Sequence, residues 1–180
     1  MDAYILTGGL SSRMGYPKSE LIFRGKKFRE IIANKLDKVG FKNIYTIGCN
    51  ELYWADFPDK LNRGSSLTGI ITVLLNAREN YNAIFSCDSP ILDNELLIKL
   101  SSDKKFVGIK NNRINPFPAI YCKEDLNIFI KEYDRNNFRI IDIIKKLNYN
   151  YFDLDKYQNI ININSKSDFY RIKRIRRNYD

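Results

Sequence analysis

Two glycines, an arginine and a lysine stand close together behind a short apolar run in Ile5-Leu6-Thr7-Gly8-Gly9-Leu10-Ser11-Ser12-Arg13-Met14-Gly15-Tyr16-Pro17-Lys18. Glycine reaches positive φ without penalty, so backbone N–H groups can converge on one point with no side chain in the way. Such amides hold phosphate oxygens, while Arg13 adds a bidentate fork and Lys18 a point charge. Pro17 stiffens the approach to Lys18. A triphosphate undergoing substitution needs this kind of charge offset in its transition state. The spacing is not that of a Walker loop, because five residues separate Gly9 from Gly15 and Lys18 lies beyond the second glycine. A GxGxxG dinucleotide fingerprint is absent as well. Local chemistry leaves two readings, a phosphate cradle or a polar turn with solvated Arg and Lys.

A second candidate is Asp88 in Phe85-Ser86-Cys87-Asp88-Ser89-Pro90. A carboxylate at the end of a buried strand costs several kcal/mol if nothing pairs with it. Asp88 either caps the turn before Pro90 or serves as a hard oxygen ligand for Mg²⁺ beside substrate phosphates. The chain has no histidine, and its three cysteines, Cys49, Cys87 and Cys122, form no CxxC pair. That excludes a histidine-based triad and argues against a zinc site. The cysteines read as small buried residues at strand ends. Chemistry must come from Lys, Arg, Asp, Asn, backbone amides or a bound metal ion.

These residues need a frame. The runs at 3–8, 43–48, 82–87, 105–110 and 118–122 are short, apolar and rich in β-branched and aromatic residues, which predicts buried strands. Phe28, Ile31, Ile32, Leu36 and Val39 recur at helical spacing over 27–39, with Gly40 as the stop. Ile70, Val73, Leu74 and Ala77 predict a helix over 68–80. Further helices are expected from Asp93 as N-cap to Leu100, over 125–133, over 140–147, and after Ser165, whose box is closed by Asp168. The β-α-β-α-β order predicts an α/β fold, a three-layer, mostly parallel Rossmann-like sheet flanked by helices. With 180 residues and no linker, the chain is expected to form a single domain over 1–180. Ligands gather outside the carboxyl ends of parallel strands, which directs attention to the segments after Leu6, Cys87 and Tyr121.

The stretch from Leu6 to Leu21 closely resembles the nucleotidyltransferase signature LxGGxSxRMGxxKxxL, above all that of the molybdenum cofactor guanylyltransferases. Gly8, Gly9, Ser11, Arg13, Met14, Gly15, Lys18 and Leu21 match in register, with Thr7 where those enzymes carry Ala. The resemblance implies catalytic roles for Arg13 and Lys18 and nucleotide contacts at Leu6, Thr7, Gly8, Gly9 and Lys18. It implies that Asp88, in a segment similar to the family's Cys-Asp-x-Pro, binds Mg²⁺ and nucleotide phosphate. Ser65-Ser66-Leu67-Thr68-Gly69 matches the family's guanine loop at Leu67 and Gly69, without its proline. Asp59, one position out of register, either reads the guanine edge or is a solvated loop carboxylate. Asn162 and Asn164 resemble the family's paired asparagines on the pterin-substrate side; alternatively Asn164 only shapes the turn before Ser165. Ile114 to Tyr121 loosely matches the family's Pro-x-x-Ala-Leu-Tyr segment.

The implied reaction transfers GMP from GTP to the phosphate of molybdopterin, with release of pyrophosphate and formation of the guanine dinucleotide cofactor. The rivals are a related transferase that uses CTP or a sugar or polyol phosphate acceptor, and a basic module that binds nucleic acid or a partner protein. The net charge of +9 suits any polyanion, but five of the 30 cations sit in Arg171-Ile172-Lys173-Arg174-Ile175-Arg176-Arg177. That run reads more simply as the end of an amphipathic helix with Phe169 and Ile172 turned inward than as a phosphate-tracking tail. A further implied partner is an apo-molybdoenzyme that receives the cofactor. No apolar run approaches the roughly 20 residues of a membrane span, and no secretion-signal pattern is found. The expected setting is the cytoplasm.

Overall fold

The computed structural model describes residues 1–8, 18–48, 56–57, 65–101, 104–157 and 162–174. In chain order the elements are β1 (Asp2–Leu6), β2 (Ile22–Phe23), β3 (Lys26–Lys27), α1 (Phe28–Lys38), β4 (Ile44–Ile47), β5 (Asp56–Phe57), α2 (Ser66–Asn76) and β6 (Tyr81–Ser86). They continue with α3 (Asn94–Lys99), β7 (Phe106–Lys110), β8 (Arg113–Cys122), α4 (Leu126–Asp134), α5 (Ile140–Ile144), β9 (Asn150–Asp153) and α6 (Lys166–Arg174). Seven strands form one sheet in the order β5-β4-β1-β6-β8-β7-β9. Only β8 runs against its neighbours; β5, β4, β1, β6, β7 and β9 are parallel. The sheet is therefore mostly parallel, as the alternating pattern of strands and helices predicts.

Helices cover both faces, which is why the central strands read as unbroken apolar runs. On one face α2, α4 and α5 bury Ile70, Leu74, Phe129, Ile143 and Ile144 against Tyr4, Leu6, Ile84 and Tyr121. On the other, α1 and α3 bury Ile32, Leu36, Leu96 and Leu97 against Ala3, Ile5, Ala83 and Phe85. A third cluster joins Phe23 and Phe28 to Ile163 and to Ile172 of α6. Phe169 packs partly buried against it, so the last helix has the inward face its sequence predicts. Cys87 and Cys122 are buried at the ends of β6 and β8; Cys49 lies outside the described residues. No helix among the described residues is long and apolar enough to cross a membrane.

Helix boundaries follow their caps. Asp93 accepts from the amides of Glu95 and Leu96, and Gly40 (φ +88°) ends α1 with its N–H on Asp37 O. Helix α2 stops at Asn76 and not at 80. The carbonyls of Ala77 and Asn80 are taken by Lys123, and that of Glu79 by Asn82 Nδ2, so the chain turns there into β6.

One expectation is overturned by topology. The sequence treats the segment after Tyr121 as part of the binding edge, yet β8 is antiparallel and Cys122 pairs with Tyr81 at the start of β6. The end of β8 thus lies at the opposite edge of the sheet. The reversal is made by the turn at Asn111 and Asn112, both at positive φ, which folds β7 and β8 into a hairpin.

Candidate functional site

Register brings the chemistry together. Leu6 is paired with Ile47 on one side and Ser86 on the other, so the segments after β1, β4 and β6 leave the sheet side by side. After β1 the chain passes through Thr7, whose hydroxyl donates to Ile47 O at 2.8 Å. The family's Ala could not make this bond, so the departure at Thr7 ties β1 to β4 without altering the glycines. Gly8 follows, and beside it stands Gly48 at φ +85°. A Cβ on Gly48 would meet Gly8 N and Cα at 2.9 Å, so the two backbones pack directly against each other.

Gly8 and Gly48 line a niche with Leu6, Ile47, Ser65, Ser66 and Gly69. Its far wall is the first turn of α2. Ser65 caps that helix, its hydroxyl accepting from Thr68 N at 3.2 Å, while Thr68 Oγ1 accepts from Ser65 N at 3.1 Å. This reciprocal pair holds the helix start in place and leaves other first-turn amides as donors. Gly69 comes close because it has no side chain: a Cβ there would lie 3.1 Å from both Leu6 methyls. Leu67 is fully buried in the core, so only its backbone belongs to the helix start.

A second group sits at the end of β6. Lys18, on a one-turn 3-10 helix (Lys18–Glu20), donates to Asn164 Oδ1 at 2.7 Å and lies 3.9 Å from Asp88 Oδ2. Ser89 Oγ is 2.6 Å from Asn162 Oδ1 and 3.2 Å from Asp88 Oδ1, one hydroxyl proton between two acceptors. The chain that carries the asparagines is pinned by Ile163 N donating to Asp88 O at 2.7 Å. Ile163 is fully buried, while Asn162 and Asn164 on either side of it meet Ser89 and Lys18. Directly after them Asp168 accepts from the amides of Asn164 and Ser165, and Ser165 Oγ accepts from Asp168 N. The Ser165 hydroxyl, then the Asn164 amide, hold the Asp168 carboxyl below its ordinary value. The backbone of Asn164 thus belongs to the turn before α6, while its side chain accepts from Lys18.

Lys18 is itself braced. Glu20 Oε2 accepts from Lys27 Nζ at 2.6 Å, and Glu20 Oε1 pairs at 3.5 Å with Arg29, a buried residue of α1. Leu21 N closes the 3-10 turn on Lys18 O, and Phe28 N bonds Leu21 O.

Asp88 fits a hard cation. Its side chain is partly exposed at the sheet edge, and no group of three or more His, Cys, Asp or Glu gathers among the described residues. A divalent ion there would take one carboxylate from the protein and its remaining oxygens from phosphate and water, as Mg²⁺ commonly does.

Of the residues singled out in the sequence, the structure joins Lys18, Asp88, Asn162 and Asn164 in one cluster, and Leu6, Gly8 and Gly69 in the neighbouring niche. Thr7 is tied to β4 by its hydroxyl and amide on Ile47 O. Gly9, Arg13 and Asp59 lie outside the described residues. Sequence reasoning missed Gly48, Ser89 and Glu20. The only signals were a glycine after a strand, a serine inside the Cys-Asp-Ser-Pro run, and an acid two residues past Lys18.

The sequence model of the MobA-like NTP transferase domain matches residues 3–128. The chain is 28% identical to a probable molybdenum cofactor guanylyltransferase of Flavobacterium johnsoniae, over 93% of this chain and 94% of the relative. It is 26% identical to one of Aquifex aeolicus, over 98% and 92%. Among solved structures, the molybdopterin-guanine dinucleotide biosynthesis protein A of Archaeoglobus fulgidus superposes with a TM-score of 0.80 at 19% identity, covering 97% of this chain and 98% of that one. A Mycobacterium tuberculosis protein solved as a complex with manganese has the same fold, with a TM-score of 0.67 at 12% identity, covering 97% and 98%. The chain belongs to the MobA-like NTP transferase domain family.

Proposed function

We propose that this family member transfers GMP from GTP to the phosphate of molybdopterin and releases pyrophosphate. The observation that carries the proposal is the meeting of Lys18, Asp88, Asn162 and Asn164 at the carboxyl edge of the sheet, next to the glycine niche. The names of the relatives supply the nucleotide and the acceptor.

A phosphate oxygen of the pterin forms the new bond to the α-phosphorus, and the bond from that phosphorus to the β-phosphate oxygen breaks. No covalent enzyme intermediate is required, so positioning and charge neutralisation carry the rate. The Lys18 ammonium, already oriented by Asn164, offsets charge on the α-phosphate and the departing pyrophosphate. Arg13 shares that role, and Gly9 offers its backbone amide to the phosphates, whereas the Gly8 amide is donated to Ile47 O at 3.3 Å and Gly8 serves by its bare Cα. Leu6, Gly48, Ser65 and Gly69 form the wall against which the nucleoside lies, with Asp59 as acceptor for the guanine edge. Asp88 would hold Mg²⁺, which would supply neutralisation of phosphate charge. Asn162 and Asn164 orient the pterin phosphate.

Pyrophosphate release with molybdopterin and Mg²⁺, compared for GTP, CTP and ATP, tests the proposal. GTP should support turnover at least about tenfold above the others, since a site built for one base's hydrogen-bonding edge rejects a wrong one strongly. Equal or faster turnover with CTP would replace guanine specificity by a cytidylyl transfer.

A further inference from the structure

A groove of about 530 Å³ runs along the outer face of α1, bounded by the β2–β3 hairpin and by the segment from Pro90 to Asn94. Ile31, Val39, Pro90 and Ile91 give it an aliphatic floor. Arg24, Lys26, Lys35 and Lys38 stand around that floor, and no described residue lining the groove is acidic. On α1, positions 31, 35 and 38 share one stripe about 10 Å long, at 1.5 Å of rise per residue. The acids of the same helix, Glu30 and Asp37, are turned about 100° or more away from Ile31 at 100° per residue. Asp93, whose charge also acts on Lys35, is engaged with the amides of Glu95 and Leu96 as the cap of α3.

Lys35 gives the groove its fixed shape. Its ammonium donates to Leu92 O, which bridges α1 to the opposite wall. Burial lowers its pKa from the ordinary lysine value, so the cation is held at a desolvation cost that an incoming carboxylate would offset.

We propose that this groove seats an acidic segment of a partner protein, carrying carboxylates on either side of an aliphatic residue. The charge complementarity is one-sided along the whole stripe, and the apolar floor calls for a side chain and not only for an anion. Single-stranded nucleic acid would need exposed aromatic faces for base stacking. Phe23 is only 8% exposed, with the Arg24 guanidinium 5.2 Å above its ring.

The test is fluorescence anisotropy of the full chain with a fluorescein-labelled twelve-residue peptide of Glu, Asp and Leu. Reversing charge in the groove (Lys26→Glu with Lys38→Glu) should weaken binding about tenfold or more, that is by about 1.4 kcal/mol. The same reversal on the far side of the sheet (Lys131→Glu with Lys145→Glu) should change it less than about twofold. A peptide with serine for leucine should bind several-fold more weakly. The groove variants should keep their turnover in the pyrophosphate assay, which separates this proposal from the nucleotidyl-transfer reading. Equal loss from the far-side reversal, undiminished binding of the serine peptide, tighter groove-dependent binding of an RNA oligomer, or loss of turnover would each overturn it.

Discussion

The Lys18 ammonium has oxygen partners on two distant segments before any ligand arrives, Asn164 Oδ1 at 2.7 Å and Asp88 Oδ2 at 3.9 Å. Donors already aimed at the site of developing charge need little reorganisation during reaction, and each is commonly worth about 10²–10³ in rate. Lys18→Ala should therefore lower single-turnover rate by about that factor. Its thermal midpoint should move little, because the side chain is on the sheet edge and not in a core. Full activity in a folded Lys18→Ala protein would remove the residue from the chemistry. Gly48 makes the opposite prediction. At φ +85°, and with any Cβ meeting Gly8 N and Cα at 2.9 Å, Gly48→Ala should cost about 1–3 kcal/mol in urea unfolding. Gly8→Ala would meet Gly48 Cα at an ordinary 3.6 Å and should leave stability nearly unchanged. The contrast shows what was legible at this scale. Lys18, Asp88, Asn162 and Asn164 announce themselves by residue type and motif. Gly48 and Ser89 matter through what they touch across the sheet edge, and contact between strand ends has no local signature.

The one-turn helix that carries Lys18 is too short to hold itself, and Glu20 is the strap that binds it to β3 and α1. Glu20→Ala should remove the counter-charge of buried Arg29, cost about 1–3 kcal/mol, and reduce kcat more than it raises KM. Glu20→Gln, which still accepts hydrogen bonds, should recover part of both. A Glu20→Ala enzyme with wild-type kcat would make the strap purely structural. On the other face, Glu132 joins α4 to the turns on either side of α5 by accepting from Lys146 at 2.7 Å and Asn137 at 2.6 Å. Those bonds hold its carboxyl at about 2, against an ordinary 4.5. A depressed carboxylate stabilises fully above its unfolded value and loses that contribution as pH falls. Acid unfolding should steepen between about pH 4.5 and 2, and Glu132→Gln should flatten that window in a chemical-denaturation series. The long helices and central strands were legible because periodicity needs several residues to declare itself. The strands β2, β3 and β5 are two residues each and fall below that threshold, while β9, as long as β4, buries only Phe152 and so has no apolar run to mark it. The direction of β8 was hidden for another reason: a parallel and an antiparallel central strand are equally apolar, and only the Asn111-Asn112 turn distinguishes them.

At the scale of the whole molecule, the cluster of Lys18, Asp88 and Asn164 forms only when segments far apart in the chain meet. Lys18 and Asn164 are 146 residues apart, and Ile172 of α6 is fully buried with Phe28 and with Ile163 of the segment that carries the asparagines. The sequence conveys the layers of the sandwich through alternation, but closure by α6 depends on one apolar face against a small third cluster. If the described elements form one cooperative unit, near-ultraviolet and far-ultraviolet melting curves should coincide, and Ile172→Ala should shift both together by a cost of about 2–5 kcal/mol. An early, separate transition of the helical signal would instead make α6 an independent flap. Nucleotide binding should act on the same unit. GTP with Mg²⁺ at about 100 times Kd adds about 2.7 kcal/mol, and in a chain of this size that raises Tm by about 5–10 °C. Asp88→Asn should abolish the part of that rise that depends on the metal while leaving the ligand-free midpoint close to wild type. A rise that persists undiminished in Asp88→Asn would place the metal on other oxygens, and the carboxylate at the end of β6 would then serve only its Ser89 and Lys18 partners.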